Sequence, residues 1–390
     1  MSSYFWDWLN LFFRWFHVIT GIAWIGASFY FVWLDNSLQS PPQWKKDKGI
    51  KGDLWAIHGG GFYEVAKYHL APERMPATLH WFKWEAYTTW LTGMVLLGVV
   101  YYANAGSYLI TSGDASLGVT GAVLFGLGFI TAGTLVYEGL LRTPLKKNGA
   151  AFGLVLFLLL VAASWLACNM LAPRAAYIHV GALIGTLMAG NVFLGIIPAQ
   201  KALVKAVQVG KTPDPALAAF AKLRSTHNNY FTLPLIFIMI SNHYPMTYSH
   251  PYNWAILAAI GFISALTRHY FNLRHHGKRA PWILLIAALL LFCLAGVITP
   301  EHSPSLRPND LSAAQALSIL ERRCTSCHAK QPTQPGFAAP PAGLVLESMA
   351  EVNQQRARIQ QVIQSQYMPL GNVTGMTQEE RDQINAWLSR

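Results

Sequence analysis

The chain has 390 residues, of which 53% are hydrophobic and only 12% charged, with a formal net charge of +11. So apolar a composition excludes an ordinary soluble domain of this length. The basicity sits in residues 1–300, with 21 basic and 10 acidic side chains against 8 and 8 in 301–390, so it reads as a membrane-topology signal and calls for no nucleic-acid partner.

Eight apolar runs are long enough to cross a bilayer. In chain order they lie near 9–33, 85–104, 116–138, 151–171, 176–197, 230–245, 252–270 and 281–299. The sixth is the weakest, because Pro234 interrupts it and His243 closes it. The loops after spans 1, 3, 5 and 7 hold 7, 3, 5 and 3 Lys or Arg residues. The intervening loops hold one, Arg174, and the first eight residues hold none. The positive-inside bias then places both termini, and the segment after span 8, outside a bacterial inner membrane, with lipid around the spans. Span 1 has no basic leader or small-residue cleavage site and is too long for a signal peptide, so it reads as uncleaved. The expected fold is all-α: an eight-span helix bundle over 1–299, a Pro/Ser-rich linker over 300–311, and a smaller helical domain over 312–390.

His17-Val18 in span 1 aligns with His179-Val180 in span 5, and Ile22, Ala27 and Phe31 match Ile184, Ala189 and Phe193 at equal offsets. The identities are thin. They fit two parallel four-helix repeats related by an axis along the membrane normal, and chance explains them too. Ionisable groups inside spans are costly and usually functional. His17, His179 and His243 all fall towards the outer ends of their spans. Two readings stand for them: axial ligands of a b-type haem iron, or hydrogen-bonded core histidines.

The loop after span 1 runs from Asp35 to Trp84 and contains His58-Gly59-Gly60-Gly61-Phe62-Tyr63-Glu64 and Lys67, with no low-complexity run. Long ordered loops are usually functional, and its glycines allow a backbone to approach a ligand closely. At the same inner ends lie His80, Glu85, Glu138, Arg142, His227, Arg268 and His269. Guanidinium, carboxylate and imidazole together can bind and deprotonate a planar polar substrate. The plainer reading is a Glu138–Arg142 pair on one helix face. Of the four cysteines, Cys168 and Cys293 fall in spans and read as inert core thiols.

The other two cysteines form Cys324-Thr325-Ser326-Cys327-His328, the C-x-x-C-H attachment signature of c-type haem. The thiols bind the haem covalently and His328 reaches the iron. An amphipathic helix runs into the motif over 311–323, and Met368 follows His328 by 40 residues in a Pro-bounded loop. Met368 is the expected second axial ligand, with Met376 and Met349 as competitors. Thr377-Gln378-Glu379-Glu380 is a capping box that opens a last helix. This order resembles small class-I cytochromes c.

Taken together, Arg14 to Gly26 in span 1, His58-Gly59-Gly60-Gly61-Phe62-Tyr63, Asn191-Val192-Phe193 with Ile197-Pro198, and Met368 to Thr374 resemble the membrane-bound urate hydroxylase family. That resemblance implies an eight-span domain joined to a C-terminal cytochrome c. It also implies oxidation of urate to 5-hydroxyisourate in purine breakdown without hydrogen peroxide. Soluble or membrane cytochrome c and a terminal oxidase would take the electrons. On this reading His58, Glu64, His80, Glu85 or Glu138 is the base, Arg142 or Lys67 holds the urate anion, and a b-type haem at His17 and His179 relays electrons to the covalent haem c. The competing reading is a quinol-oxidising electron conduit without purine chemistry. A bare membrane anchor for the cytochrome would need only one span.

Overall fold

The computed structural model describes residues 2–110, 117–275, 277–299, 311–334, 337, 339–364 and 367–389. The linker expected at 300–311 lies outside the described residues except for Leu311. The chain begins with α1 (Ser2–Ser37), a short α2 (Gln43–Lys46), and the strands β1 (Ile50–His58) and β2 (Gly61–Tyr68). Helix α3 (Trp84–Leu96) continues through a π-helical turn, Leu97–Tyr102, to the short α4 (Ala105–Tyr108). There follow α5 (Gly118–Arg142), α6 (Gly149–Met170) and α7 (Pro173–Gly190). A second π-helical turn, Asn191–Ile196, joins α7 to α8 (Ile197–Gln208). Then come α9 (Pro215–Ser241), α10 (Pro245–Tyr248), α11 (Asn253–His275) and α12 (Trp282–Val297). The C-terminal part holds α13 (Ala313–His328), α14 (Met349–Gln354), α15 (Arg356–Gln364) and α16 (Gln378–Leu388).

Each expected span is helical over most of its described length; the exceptions lie at the span ends, the longest being the turn at 242–244 in the sixth. Among the described residues, five helical runs are long and apolar enough to cross a membrane: Tyr4–Ser37, Gly118–Arg142, Gly149–Met170, Pro173–Gln208 and Asn253–His275. Helix α12 is apolar but only 16 residues long, and α9 is diluted by Arg224, His227 and two asparagines. Helix α7 runs through the centre and packs on α3, α5, α6 and α9. Its inward residues include Ala175, Ala176, Gly181 and Ala189, so neighbouring backbones come close. A Cβ on Gly181 would meet Ile238 at 2.5 Å. Helix α1, which the repeat pattern equates with α7, lies at the edge: 11% of its apolar window is buried, against 61% for α7 with α8. Cys293, expected in the core, is exposed on α12, while Cys168 packs against the main core.

The all-helical expectation needs one correction. β1 and β2 form an antiparallel hairpin within the long loop after α1. Gly59 (φ 58°) and Gly60 (φ 82°) are its two turn residues between the paired His58 and Gly61, the positive-φ pattern of a type I′ turn. The glycines therefore serve a tight turn rather than a ligand loop. Buried Lys45 on α2 pairs with Asp53 of β1 and Glu64 of β2, and Lys67 pairs with Asp35 at the end of α1 at 2.6 Å. These contacts fix the hairpin to one end of the bundle, termed here the hairpin end.

The C-terminal part has its own core of Ala316, Ile319, Leu320, Leu346, Val352, Ile359, Ile363, Ile384 and Leu388 with Met376 and Trp387. The expected capping box forms at Thr377 and Glu380, and another at Ser312 and Gln315 opens α13. Arg323 on α13 holds Glu380 on α16 at 3.0 Å. Burial alone would raise the Glu380 pKa; the Arg323 guanidinium and the Thr377 N–H overcome that and hold it below the usual carboxylate range.

Gly60→Val would force a β-branched residue to positive φ, at a cost of about 1–2 kcal/mol to the hairpin. The expected result is faster proteolytic cleavage within 50–68, with an unchanged melting profile for the C-terminal part.

Candidate functional site

Cys324 and Cys327 lie one turn apart at the end of α13, and His328 closes the helix. The His328 Nδ1 is 3.0 Å from the Leu344 carbonyl oxygen, which only accepts, so Nδ1 carries the proton and Nε2 keeps its lone pair. Burial lowers the His328 pKa and outweighs the Leu344 bond, so the ring is neutral near pH 7. Burial pushes the Cys324 thiol up to about 12, with Cys327 adding to the shift, and burial raises Cys327 as well. Two unpaired thiols and an oriented neutral imidazole on one turn fit a covalent haem. Met376 is 2% exposed in the core and Met349 packs against that core, while Met368 is half-buried outside it. The Met368 loop is pinned on both sides: its N–H donates to Val362 O at 3.1 Å, and its carbonyl accepts from Arg381 at 2.6 Å.

This motif faces the bundle end opposite the hairpin. Gln334 donates to the Ser107 hydroxyl at 3.4 Å, and the turn Leu370–Asn372 packs on α4. Burial is the main cause raising the Tyr108 phenol; Arg174 opposes it, and Tyr367 and Cys327 reinforce it from the C-terminal part. The Arg174 guanidinium lies 5.9 Å from the Tyr108 ring centre, and its Nε donates to Asn242 Oδ1 at 3.0 Å. Tyr101 donates to the same oxygen at 3.4 Å, and its ring is 5.7 Å from that of Tyr108. Tyr101, Asn242, Arg174 and Tyr108 thus form a continuous chain at the end of the bundle on which the C-terminal part packs.

Behind that chain is a cavity of about 230 Å³ between α1, α3, α7 and α9. Its wall is mostly apolar, and its polar groups include Arg14, His17, Thr89 and Asn242. His17 Nδ1 is 2.9 Å from the Thr89 carbonyl oxygen and 3.1 Å from Thr92 Oγ1. The carbonyl requires the proton on Nδ1, so Nε2 is the acceptor of the ring.

Nearer the hairpin end, Glu138 of α5 receives two bonds from Arg224 of α9, at 2.7 and 2.6 Å. Asn191 accepts from Arg224 and from Tyr137, whose hydroxyl also meets His227 Nδ1 at 2.8 Å. Asn228 accepts from Asn191 and donates to the Met188 carbonyl. On the next residue, Asn229 accepts from Arg268 and Asn272, both at 2.9 Å. Arg224 Nε, Arg268 Nη2 and Glu85 Oε2 are buried with no hydrogen-bond partner among the described residues.

The expected residues are therefore dispersed. His58 is exposed at the hairpin tip, and Glu64 is tied to Lys45. Exposed His80 is 4.0 Å from partly buried Glu85. Glu138 pairs with Arg224 and not with Arg142, which is exposed. The three intramembrane histidines do not meet. His179 is fully buried with both nitrogens bonded, to Ala175 O at 2.8 Å and to the Tyr102 hydroxyl at 3.1 Å. It does not line the cavity that His17 lines, and His243 is exposed just beyond α9. A bis-histidine b-type haem on His17 and His179 does not fit this arrangement. The sequence alone points to none of Arg224, Asn242 and Tyr108, and to Asn191 only as part of the family resemblance. Arg174 left a trace there, as the one basic residue in the outer loops.

Glu138→Ala leaves the buried Arg224 charge unpaired, a class of change that costs about 3–5 kcal/mol. The expected result is a clear drop in thermal stability, largely recovered in the Glu138→Ala, Arg224→Met double variant.

No curated protein and no solved structure matches the chain at a significant level. The family model described as urate oxidase N-terminal matches residues 3–299, the whole helix bundle with its hairpin. A match over that much of the chain shows its kinship: the protein belongs to the urate oxidase N-terminal family.

Proposed function

We propose that the protein is a membrane-bound oxidoreductase that oxidises urate to 5-hydroxyisourate and delivers the electrons to a covalent haem c. The observation that carries this reading is that Cys324-Thr325-Ser326-Cys327-His328 belongs to a C-terminal part that packs on α4 at one end of a urate oxidase-family bundle. In this reading residues 1–299 form an eight-span domain in a bacterial inner membrane, and 312–390 a class-I-like cytochrome c domain joined by the linker at 300–311. The 18-to-1 split of loop Lys and Arg supports periplasmic termini and a periplasmic cytochrome domain.

Cys324 and Cys327 would hold the haem covalently, His328 Nε2 and Met368 Sδ would ligate its iron, and the group would supply a one-electron acceptor. The chain itself has three tasks. It must hold a planar anion, take protons as water adds to the ring, and keep the outgoing electrons away from dioxygen. The Leu344 carbonyl fixes the His328 tautomer, and Arg381 with Val362 holds the Met368 loop in place. A soluble or membrane cytochrome c and a terminal oxidase are the partners this chemistry requires.

Anaerobic visible spectra of membranes containing the protein test the reading. Urate is expected to bring up the reduced α-band of a c-type haem. Cys324→Ala should abolish the covalent haem. Met368→Leu should lower the potential while Met376→Leu should not. A haem that stays oxidised with urate yet is reduced by a quinol would replace this reading with a quinol-oxidising conduit.

A further inference from the structure

We infer that the urate ring binds in the cavity between α1, α3, α7 and α9, with His17 Nε2 as the base. This inference rests on the urate reading above and assigns its site. Size is the first ground. An apolar cavity of about 150 Å³ accommodates benzene, so 230 Å³ leaves room for two fused rings. Shape is the second. Gly21 of α1, Gly93 of α3, and Gly181 and Gly185 of α7 line the cavity; a Cβ on Gly185 would meet nothing within 4 Å, so the α7 wall is open backbone there, while the His17 ring lies over Gly93. Trp24 and Trp90 add flat aromatic surface, and Trp90 is fixed by a 3.0 Å bond from its indole N–H to Thr186.

The polar groups are few, as in most small-molecule sites, and their roles are set. His17 must accept at Nε2, because Nδ1 donates to Thr89. Asn242 Oδ1 is taken by Arg174 and Tyr101, which leaves its amide N–H groups for a ligand carbonyl. Arg14 supplies positive charge for an anion.

Position decides between this cavity and the Glu138–Arg224 network. His227 and Asn242 are 15 residues apart on and just beyond α9, or about 22 Å along a helix. The cavity reaches Tyr101 and Asn242, which join Arg174 and Tyr108 at the end of the bundle on which the C-terminal part packs. The Glu138 network begins at the other end of the same cavity, where Met188 and Thr232 meet Asn228, and so lies further from the C-terminal part than His17 and Asn242 do. In the reaction, the water oxygen bonds to C5 of urate and one proton passes to His17 Nε2. The urate anion has already given up its ring N–H proton before it binds, and two electrons leave singly, to be taken in the end by an external cytochrome c. The urate anion plus water thereby equals 5-hydroxyisourate, the one proton taken by His17, and two electrons.

The test is equilibrium binding of radiolabelled urate to the intact holoprotein with its haem already reduced by ascorbate, so that no turnover occurs. A Cβ on Gly185 meets nothing within 4 Å, so Gly185→Leu fills the cavity without a backbone clash. It is expected to weaken urate binding at least tenfold. His17→Gln should bind within about threefold of the unmodified protein yet slow urate-driven haem reduction at least a hundredfold. Ascorbate reduction and the haem spectrum report assembly in each variant. Should Gly185→Leu not assemble, Gly185→Ala is expected to give a smaller loss of the same kind. If the Gly185 and His17 variants bind and oxidise urate normally, the site lies elsewhere while the urate reading stands. If the unmodified protein neither binds urate nor is reduced by it, the urate reading itself falls.

Discussion

Helix α7 passes through the middle of the bundle on alanine and glycine, and the placement of nearly everything else follows from how closely its neighbours approach it. Gly181 lets Ile238 of α9 sit against its backbone, and Gly133 of α5 does the same for Leu183 of α7. In lipid there is little hydrophobic drive to bring helices together, so close van der Waals packing through small residues does much of that work. Because α7 contacts α3, α5, α6 and α9 at once, it sets both the width of the cavity near His17 and the depth at which Asn191 meets Arg224.

The second constraint is the cost of burying polar groups where no water can solvate them. The bundle meets it by pairing across helices. Glu138 and Arg224 neutralise each other, and Asn191, Asn228, Asn229 and Thr232 take up much of the remaining donor and acceptor capacity around them. The π-helical turn at Asn191–Ile196 belongs to this arrangement, because a Cβ on Gly195 within it would overlap the Arg224 side chain at 2.0 Å. The network is mostly closed upon itself. By contrast, the His17 ring leaves one nitrogen without a protein partner among the described residues, in a cavity with room for a ligand.

At the other end of the bundle, a positively charged side chain stands where the C-terminal part packs on α4. Arg174 contacts Asn242 and Tyr108, and Tyr108 in turn feels Tyr367 and Cys327. On the proposed reading this is where a membrane-embedded donor and a covalent acceptor come together. Arg174 then has a structural reason to stand as the exception to the charge bias of its side of the membrane.

Local and compositional signals told their part of this from the sequence alone. Apolar runs mark helices because the bilayer demands about twenty apolar residues. C-x-x-C-H, the Thr377–Glu380 capping box and the charge bias are complete within a few residues or a simple count. The hairpin was half-visible: two glycines after His58 signal a type I′ turn, but a third glycine and the helical surroundings obscured it. The site itself was not legible, because its bonds join residues far apart in the chain. His17 meets Thr89 across 72 positions, Arg174 meets Asn242 across 68, and Glu138 meets Arg224 across 86. Equal depth in the membrane suggested that His17 and His179 face each other, yet depth says nothing about rotation around a helix axis. Rotation is set by which face of α7 carries the small residues, and only the packed bundle decides that.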